Sequence, residues 1–379
     1  MPSFISSFKA KLRPPRVFFA EPPEPTPRDY ERPIPQLPWR GITVVVVLIV
    51  MAAAGAWESY CRSIGYGPTL NDNEDLWTLM HRKVKPESIV IIGDSRAWFD
   101  LDLDELQKGL GKRPIQLAMA GSCGYPALAD LAHDGSFHGT IICSIVPRLF
   151  FAPPGSPPMQ NAEKAVRRSH SQTLAQRASQ YLAMPMEEHI AFLKQHDLTL
   201  EQFFIRLPIP NRPGALVPPR LPPYFQTVDR ERRARMIEQC ARPGKLQSTV
   251  QQTWLPLFTP PPPPTYVPPD IFAAKMQAAM TNRFRDTVTA VETLRARGGR
   301  IVFVRFPHSG ELKTLEDSQT PRARTWDALL KETNAPGIYY SDFPELSSFS
   351  CPEWSHLSAG DSVEFTRRLV PHLQSALGL

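Results

Sequence analysis

The fold is decided by residues 88–95, which read SIVIIGDS. Residues 89–92 are all β-branched, a pattern that is typical of a strand buried on both faces of a sheet. Gly93 ends this run, and residues 101–110 then show the apolar spacing of a helix with Asp100 or Asp102 as its N-cap. A buried strand that is followed directly by a helix indicates the first unit of a parallel α/β sheet.

The same alternation continues along the chain. Further strands are predicted at residues 115–119, 140–146, 301–306 and 337–340, and further helices at residues 126–133, 270–297, 321–333 and 358–377. This order predicts an α/β fold, a three-layer sandwich with a mostly parallel sheet between two layers of helices. Sheets of this kind bind ligands at the carboxyl ends of their strands, so the loops after Ile92, Met119, Val146 and Phe306 should lie along one edge.

Residues 41–57 contain no charged side chain and are long enough to cross a bilayer core. Trp39, Trp57 and Tyr60 flank the segment as an aromatic belt. A signal peptide would start nearer the first residue, whereas a 40-residue arm precedes this run. The pattern therefore predicts an uncleaved, single transmembrane helix.

Charge sets the predicted orientation of that helix. Residues 1–40 carry seven basic side chains, whereas Arg62 is followed by an acidic stretch at residues 71–75. The positive-inside rule then places residues 1–40 in the cytoplasm, as a disordered proline-rich arm, and residues 58–379 outside. For a bacterium with two membranes, this means the inner membrane with a periplasmic C-terminal domain.

Proline separates an insert from the folded domain. Of 42 prolines, 21 fall in residues 150–270, which favours a domain made of residues 58–149 and 270–379 with a proline-rich helical insert at 150–269. Helical spacing within the insert predicts helices at residues 160–182 and 186–206. A cap over the crevice, a docking surface and a decoration packed on the sheet all fit this pattern.

Composition excludes several function classes. The net charge is +6, and beyond residue 40 the 36 basic and 33 acidic side chains nearly balance, so nucleic acid is not an expected partner. The five cysteines form no CxxC pair and no metal-ligand spacing with histidine, so neither a metal nor another cofactor is expected. One disulfide among Cys123, Cys143 and Cys351 is compatible with the sequence, which does not set its connectivity.

Two short segments far apart in the chain carry catalytic chemistry. Ser95 follows the first strand, where its own backbone N–H can face a developing oxyanion. A serine needs an adjacent base, and the base needs an acceptor on its other nitrogen. Glu353 and His356, just before the last helix, supply a base and an acceptor for it, with Asp342 as the alternative acceptor.

This layout resembles the SGNH/GDSL hydrolase family over residues 85–150 and 270–379. The resemblance implies Ser95 as nucleophile, His356 as base and Glu353 in the place of the usual aspartate. It also implies an oxyanion hole made by Ser95 and Gly121, with Gly124 as the second choice.

The third block of the family normally offers an asparagine, and this chain reads SIVPR at residues 144–148 instead. Ser144, Arg148 or another loop would have to supply the missing donor, and the loss of one donor costs about 10²–10³ in rate. Asp94, Arg96, Ser144, Arg148 and His308 are the candidate substrate-binding residues. Arg148 and Arg305 would bind an anionic group or form structural ion pairs.

The departures resemble a membrane-anchored subset of the family that works in O-acylation of cell-envelope polymers such as exopolysaccharides. This implies a serine esterase or O-acyltransferase with an acyl-ester or glycan substrate, beside a multi-pass membrane acyltransferase partner. The alternative is a catalytically weak or inactive scaffold of such a system, which the absent asparagine and the large insert favour.

Overall fold

The structure of the protein is a computed structural model that describes residues 37–194, 220–260 and 266–379. It also places residues 198, 204, 207, 212, 263 and 264. The chain divides into two compact units, residues 1–54 and 55–379. Nearly all of the proline-rich arm predicted at residues 1–40 lies outside the described residues.

The apolar segment near the N-terminus forms helix α1 (Trp39–Ser63). The helix has 25 residues and a mean hydropathy of 2.1 over its most apolar window, so it is long and apolar enough to span a membrane. It contains the predicted segment 41–57 and extends six residues further toward the C-terminus.

A parallel sheet lies at the centre of residues 55–379. The strands are β1 (Ile89–Ile92), β2 (Ile115–Gln116), β3 (Thr140–Ser144), β4 (Gln226–Val228), β5 (Ala234–Met236), β6 (Arg300–Arg305) and β7 (Gly337–Tyr339). The five-stranded sheet has the order β2-β1-β3-β6-β7 with every pair parallel, and β4 and β5 form a separate antiparallel hairpin. The predicted mostly parallel α/β sheet is therefore confirmed.

Helices connect these strands. After α1 they are α2 (Glu74–His81), α3 (Ser95–Phe99), α4 (Leu103–Leu110), α5 (Tyr125–His133), α6 (Pro147–Phe150), α7 (Pro157–Ser171), α8 (Leu174–Glu187), α9 (Glu238–Ala241), α10 (Lys245–Phe258), α11 (Pro269–Ala296), α12 (Gly310–Gln319), α13 (Arg322–Thr333), α14 (Pro344–Ser347) and α15 (Ala359–Leu377). The predicted helices at 101–110, 126–133, 270–297, 321–333 and 358–377 match α4, α5, α11, α13 and α15 to within two residues. Asp102 is the N-cap of α4, and it accepts hydrogen bonds from Asp104 N and Glu105 N.

Alternate residues of β1 belong to two different hydrophobic clusters. Ile89 and Ile91 pack with residues of α4, α10 and α15, whereas Val90 and Ile92 pack with residues of α5, α11 and α13. Because side chains alternate across a strand, helices cover both faces of the sheet.

Two helix predictions in the insert need correction. The single helix expected at 160–182 is α7 and α8, because Thr173 begins a new helix with a capping box in which Gln176 bonds back to its N–H. The helix expected at 186–206 is not formed up to Lys194, where only a 3₁₀ turn at Ala191–Leu193 follows α8. Most of residues 195–206 lie outside the described residues.

The described later part of the insert packs onto the sheet domain. Phe225, Met236, Val250 and Trp254 are buried in the same hydrophobic cluster as α15. Hairpin β4–β5 and α10 thus cover one face of the sheet, on the side of the loop that carries His356.

Candidate active site

The turn after β1 is held against β3. Asp94 is the N-cap of α3, and its carboxylate accepts hydrogen bonds from Arg96 N (2.9 Å), Ser144 Oγ (2.9 Å) and Val146 N (3.2 Å). These contacts set Ser95 as the first residue of α3, at the carboxyl edge of the sheet, where its side chain is half-buried.

Ser95, His356 and Glu353 form a continuous hydrogen-bonded chain. Ser95 Oγ lies 2.8 Å from His356 Nε2, although 261 residues separate the two in the sequence. His356 Nδ1 lies 2.9 Å from Glu353 Oε1, which also accepts the backbone N–H of His356 at 2.5 Å. The arrangement places a hydroxyl, an imidazole and a carboxylate at hydrogen-bond distances, a geometry in which these groups can act as nucleophile, base and acceptor.

The loop that carries Glu353 and His356 is fixed from two sides. Ser309 after β6 donates its N–H to Trp354 O (2.9 Å), and Asp100 at the end of α3 accepts Leu357 N (2.9 Å). Burial raises the pKa of Asp100 well above its usual value, and the carboxylate of Glu353 adds to this. Sequence reasoning considered Asp100 only as a helix cap.

Aromatic rings surround the imidazole of His356. Phe99 stacks on it at a centroid distance of 4.2 Å, and Trp254 and Phe225 lie at 5.6 and 6.0 Å. His356 is consequently 1% exposed and Glu353 is 0% exposed. Phe225 and Trp254 come from the insert, for which a cap over the crevice was one of the three roles that the sequence left open.

Trp254 also contacts the acid directly. Its indole N–H donates a hydrogen bond to Glu353 Oε2, the carboxylate oxygen that faces away from His356. Trp254 lies 99 residues before Glu353 in a proline-rich segment, and no spacing or motif marks it in the sequence.

The two candidate oxyanion glycines lie in different surroundings. Gly121 has φ +59°, is exposed, and a Cβ added there would meet nothing within 4 Å. Gly124 is buried, and a Cβ added there would lie 2.9 Å from the Cα of Gly93. The second choice thus packs on the turn that carries Ser95, and donation by either glycine stays a prediction.

The loop after β3 uses its candidate donors within the protein. Ser144 is 1% exposed and donates to Asp94, as described above. Arg148 donates to the carbonyl oxygens of Phe258 and Thr259, at the C-terminal end of α10. Both side chains therefore connect parts of the fold to one another, and a role of either in substrate binding stays a prediction.

Arg96 and Arg305 form a buried ion-pair cluster with Glu316. Arg96 donates to both carboxylate oxygens of Glu316, and Arg305 donates to Oε2 at 2.5 Å. Burial alone would raise the pKa of Glu316, but the two guanidinium groups outweigh it and lower that pKa. The sequence left two roles open for Arg305, binding of an anionic group and a structural ion pair. In the structure Arg305 forms the ion pair.

His308 lies beside this cluster. Its Nε2 is 3.3 Å from Arg305 Nη2 and 3.5 Å from Asp317 Oδ1, and the side chain is fully buried. Burial, together with the charges of Arg305 and Arg96, lowers the pKa of His308 to about 4, so the ring is neutral at neutral pH.

Two further sequence alternatives are placed elsewhere. Asp342, the alternative acceptor, forms an ion pair with Arg322 at 2.5 Å at an exposed position. All five cysteines are buried and free, so the disulfide considered among Cys123, Cys143 and Cys351 is not formed.

Together, fold and site define an α/β protein with a Ser-His-Glu chain at the carboxyl edge of a parallel sheet. Searches of family models, curated proteins and solved structures found no match to this chain. The resemblance to SGNH/GDSL hydrolases therefore stays a prediction from the sequence motifs.

Proposed function

We propose that this chain is a membrane-anchored, extracytoplasmic serine esterase or O-acyltransferase of the SGNH/GDSL type, which works through an acyl-enzyme at Ser95. The observation that supports it most is the hydrogen-bonded chain from Ser95 Oγ through His356 to Glu353. Helices on both faces of a parallel sheet agree with the three-layer sandwich of that family.

The three side chains supply each proton transfer of acyl transfer. His356 Nε2 takes the proton of Ser95 as Oγ attacks the acyl carbonyl, and Glu353 supports the resulting imidazolium through Nδ1. The imidazolium then protonates the leaving alkoxide, which departs and leaves the acyl group on Ser95. Water or an acceptor hydroxyl next gives its proton to Nε2 and attacks the ester, and Ser95 recovers its proton when it leaves.

Substrate and location follow the resemblance to anchored envelope proteins. With α1 as a membrane anchor, residues 58–379 would work in the periplasm on a cell-envelope glycan or a similar polymer. A multi-pass membrane acyltransferase would deliver the acyl group, and the basic arm before α1 would stay in the cytoplasm.

Covalent labelling of Ser95 tests the proposed activity. We expect a fluorophosphonate probe to label the full chain in detergent micelles and to spare Ser95→Ala, because only an activated serine reacts. Ser136→Ala is the matched control, since Ser136 is an exposed serine outside the site and its removal should leave labelling unchanged. Equal labelling of wild type and Ser95→Ala would reject the proposal.

A second candidate function is a non-enzymatic scaffold on the same fold. It is favoured by Ser144 and Arg148, whose donors bind within the protein and leave the role of the family's asparagine unassigned. In that case Ser95→Ala would retain full function in cells and would still co-purify with its membrane partner.

A further inference from the structure

We propose that helix α10 of the insert holds the loop that carries Glu353 and His356 in place, and we call α10 the clamp of this loop. Trp254 is the positioning residue that holds Glu353. This inference rests on the proposed function. It assigns to the insert a part in catalysis, beyond covering one face of the sheet.

Two side chains on one face of α10 donate hydrogen bonds to consecutive residues of the loop. Gln251 Nε2 donates to Pro352 O at 2.8 Å, and the indole N–H of Trp254 donates to Glu353 Oε2. Residues three apart lie on the same side of a helix, so one rigid face carries both contacts. The loop that presents His356 is thus bound by a helix as well as by its own neighbours.

The C-terminal end of α10 is bonded to α6, the short helix that follows β3. Carbonyl groups in the last turn of a helix lack partners within the helix, and Arg148 donates to those of Phe258 and Thr259. Arg148 lies in α6, directly after β3, at the edge where Ser95 stands. The clamp therefore connects the nucleophile's side of the sheet with the acid's loop.

The hydrogen bonds of Glu353 explain why the clamp matters. Oε1 already accepts hydrogen bonds from two N–H groups of His356, and Oε2 accepts one from the indole N–H of Trp254. The side chain of Glu353 has no contact with solvent. A buried carboxylate oxygen that loses its donor is strongly disfavoured, so Glu353 would turn away from this position. The imidazole would then lack its acceptor.

Trp254→Phe removes this N–H and keeps an aromatic ring in place. With p-nitrophenyl acetate we expect kcat to fall about 10- to 100-fold, as for loss of one hydrogen bond to a charged group, with KM nearly unchanged. The rate of fluorophosphonate labelling at Ser95 should fall by the same factor. Trp77→Phe is the matched control, because Trp77 is also buried, on the other face of the sheet, and donates to Leu117 O at 2.8 Å. It should keep the wild-type kcat.

A double-mutant comparison separates positioning from general damage. In a Glu353→Ala background, Trp254→Phe should have no further effect on kcat, because its action runs through Glu353. Equal losses in both backgrounds, or a wild-type kcat in Trp254→Phe, would overturn the clamp.

Arg148→Gln keeps the clamp testable if Trp254→Phe fails to fold. It frees the end of α10 without altering the core, and it should lower kcat and the labelling rate in the same direction. Wild-type rates in Arg148→Gln would contradict the clamp. Wild-type protein that is not labelled at Ser95 would instead reject the proposed function, so the two failures are distinct.

Discussion

Gly93 is the residue on which the turn that carries Ser95 depends. Its φ is +127°, in the left-handed region that side chains disfavour, and a Cβ there would lie 2.6 Å from Ser144 Cβ. The glycine lets the turn approach β3 closely enough for Asp94 to bind Ser144 and Val146 N. The absence of a Cβ at Gly93 therefore determines where Ser95 lies.

We expect Gly93→Ala to lower the free energy of unfolding by about 3 kcal/mol or more, from backbone strain and overpacking together. Gly111→Ala is the matched control, because Gly111 also has a positive φ (+72°) but open space around its Cα, and should cost only about 1 kcal/mol. Denaturant unfolding of the full chain in detergent measures both. Similar losses in the two variants would show that the close approach to Ser144 is unimportant.

At the scale of elements, α3 joins the two halves of the site. Its first residue is Ser95, and Asp100 at its C-terminal end binds Leu357 N next to the base. Burial of Asp100 raises its pKa, which favours the protonated form of this carboxyl. A short helix therefore sets the distance between Ser95 and the loop that carries His356.

Asp100→Asn should become more stable relative to wild type as the pH rises. The raised pKa means that the folded wild type binds a proton which the unfolded chain releases, so the wild type loses stability above the unfolded pKa of about 3.8. Asparagine keeps the acceptor for Leu357 N without that proton. Denaturant unfolding at pH 4 and pH 8 checks this, with Asp100→Ala, which lacks the acceptor, as the control. A stability difference between Asp100→Asn and wild type that is the same at both pH values would contradict it.

For the whole of residues 55–379, the buried charges set the response to acid. Arg96 on α3, Arg305 on β6 and Glu316 on α12 meet in the interior, with His308 beside them. Breaking a buried charge network costs more than its formation contributes, because an unpaired charge remains. The cluster is therefore a point at which protonation affects several elements at once.

The contribution of His308 to the stability of the wild type should fall by about 3 kcal/mol as the pH falls from about 6.5 to about 4, because its lowered pKa lets the unfolded chain bind a proton that the folded one does not. Glu316, whose pKa is also lowered, adds to the loss below the unfolded value of about 4.5. Unfolding curves for wild type and His308→Asn, with the exposed His138→Asn as control, measure the first part. The same slope between pH 6.5 and 4 in wild type and His308→Asn would contradict the assignment.

The pattern of neighbouring residues was sufficient to predict the parallel sheet. It also predicted Ser95 and Glu353, the two ends of the hydrogen-bonded chain. Continuous apolar runs predicted all five parallel strands, because these strands are buried on two faces, and helical spacing predicted α4, α5, α11, α13 and α15. It did not predict α12, which lies between β6 and β7. The same pattern missed hairpin β4–β5 and α10. Their segment is rich in proline, and their stability comes from packing on the sheet domain, which leaves no such signal.

The amino-acid sequence alone determined the apolar helix, the alternating strands and helices, and the serine, histidine and glutamate that can form a hydrogen-bonded chain. Tertiary structure decided how those side chains are held. Asp94 accepts a hydrogen bond from Ser144 of β3, Asp100 accepts one from Leu357, and Glu353 accepts one from Trp254. Arg96 and Arg305 form ion pairs with Glu316. The reason is physical. Propensity and periodicity act over neighbouring residues, whereas each of these contacts joins residues that only the closed fold brings together and removes from water.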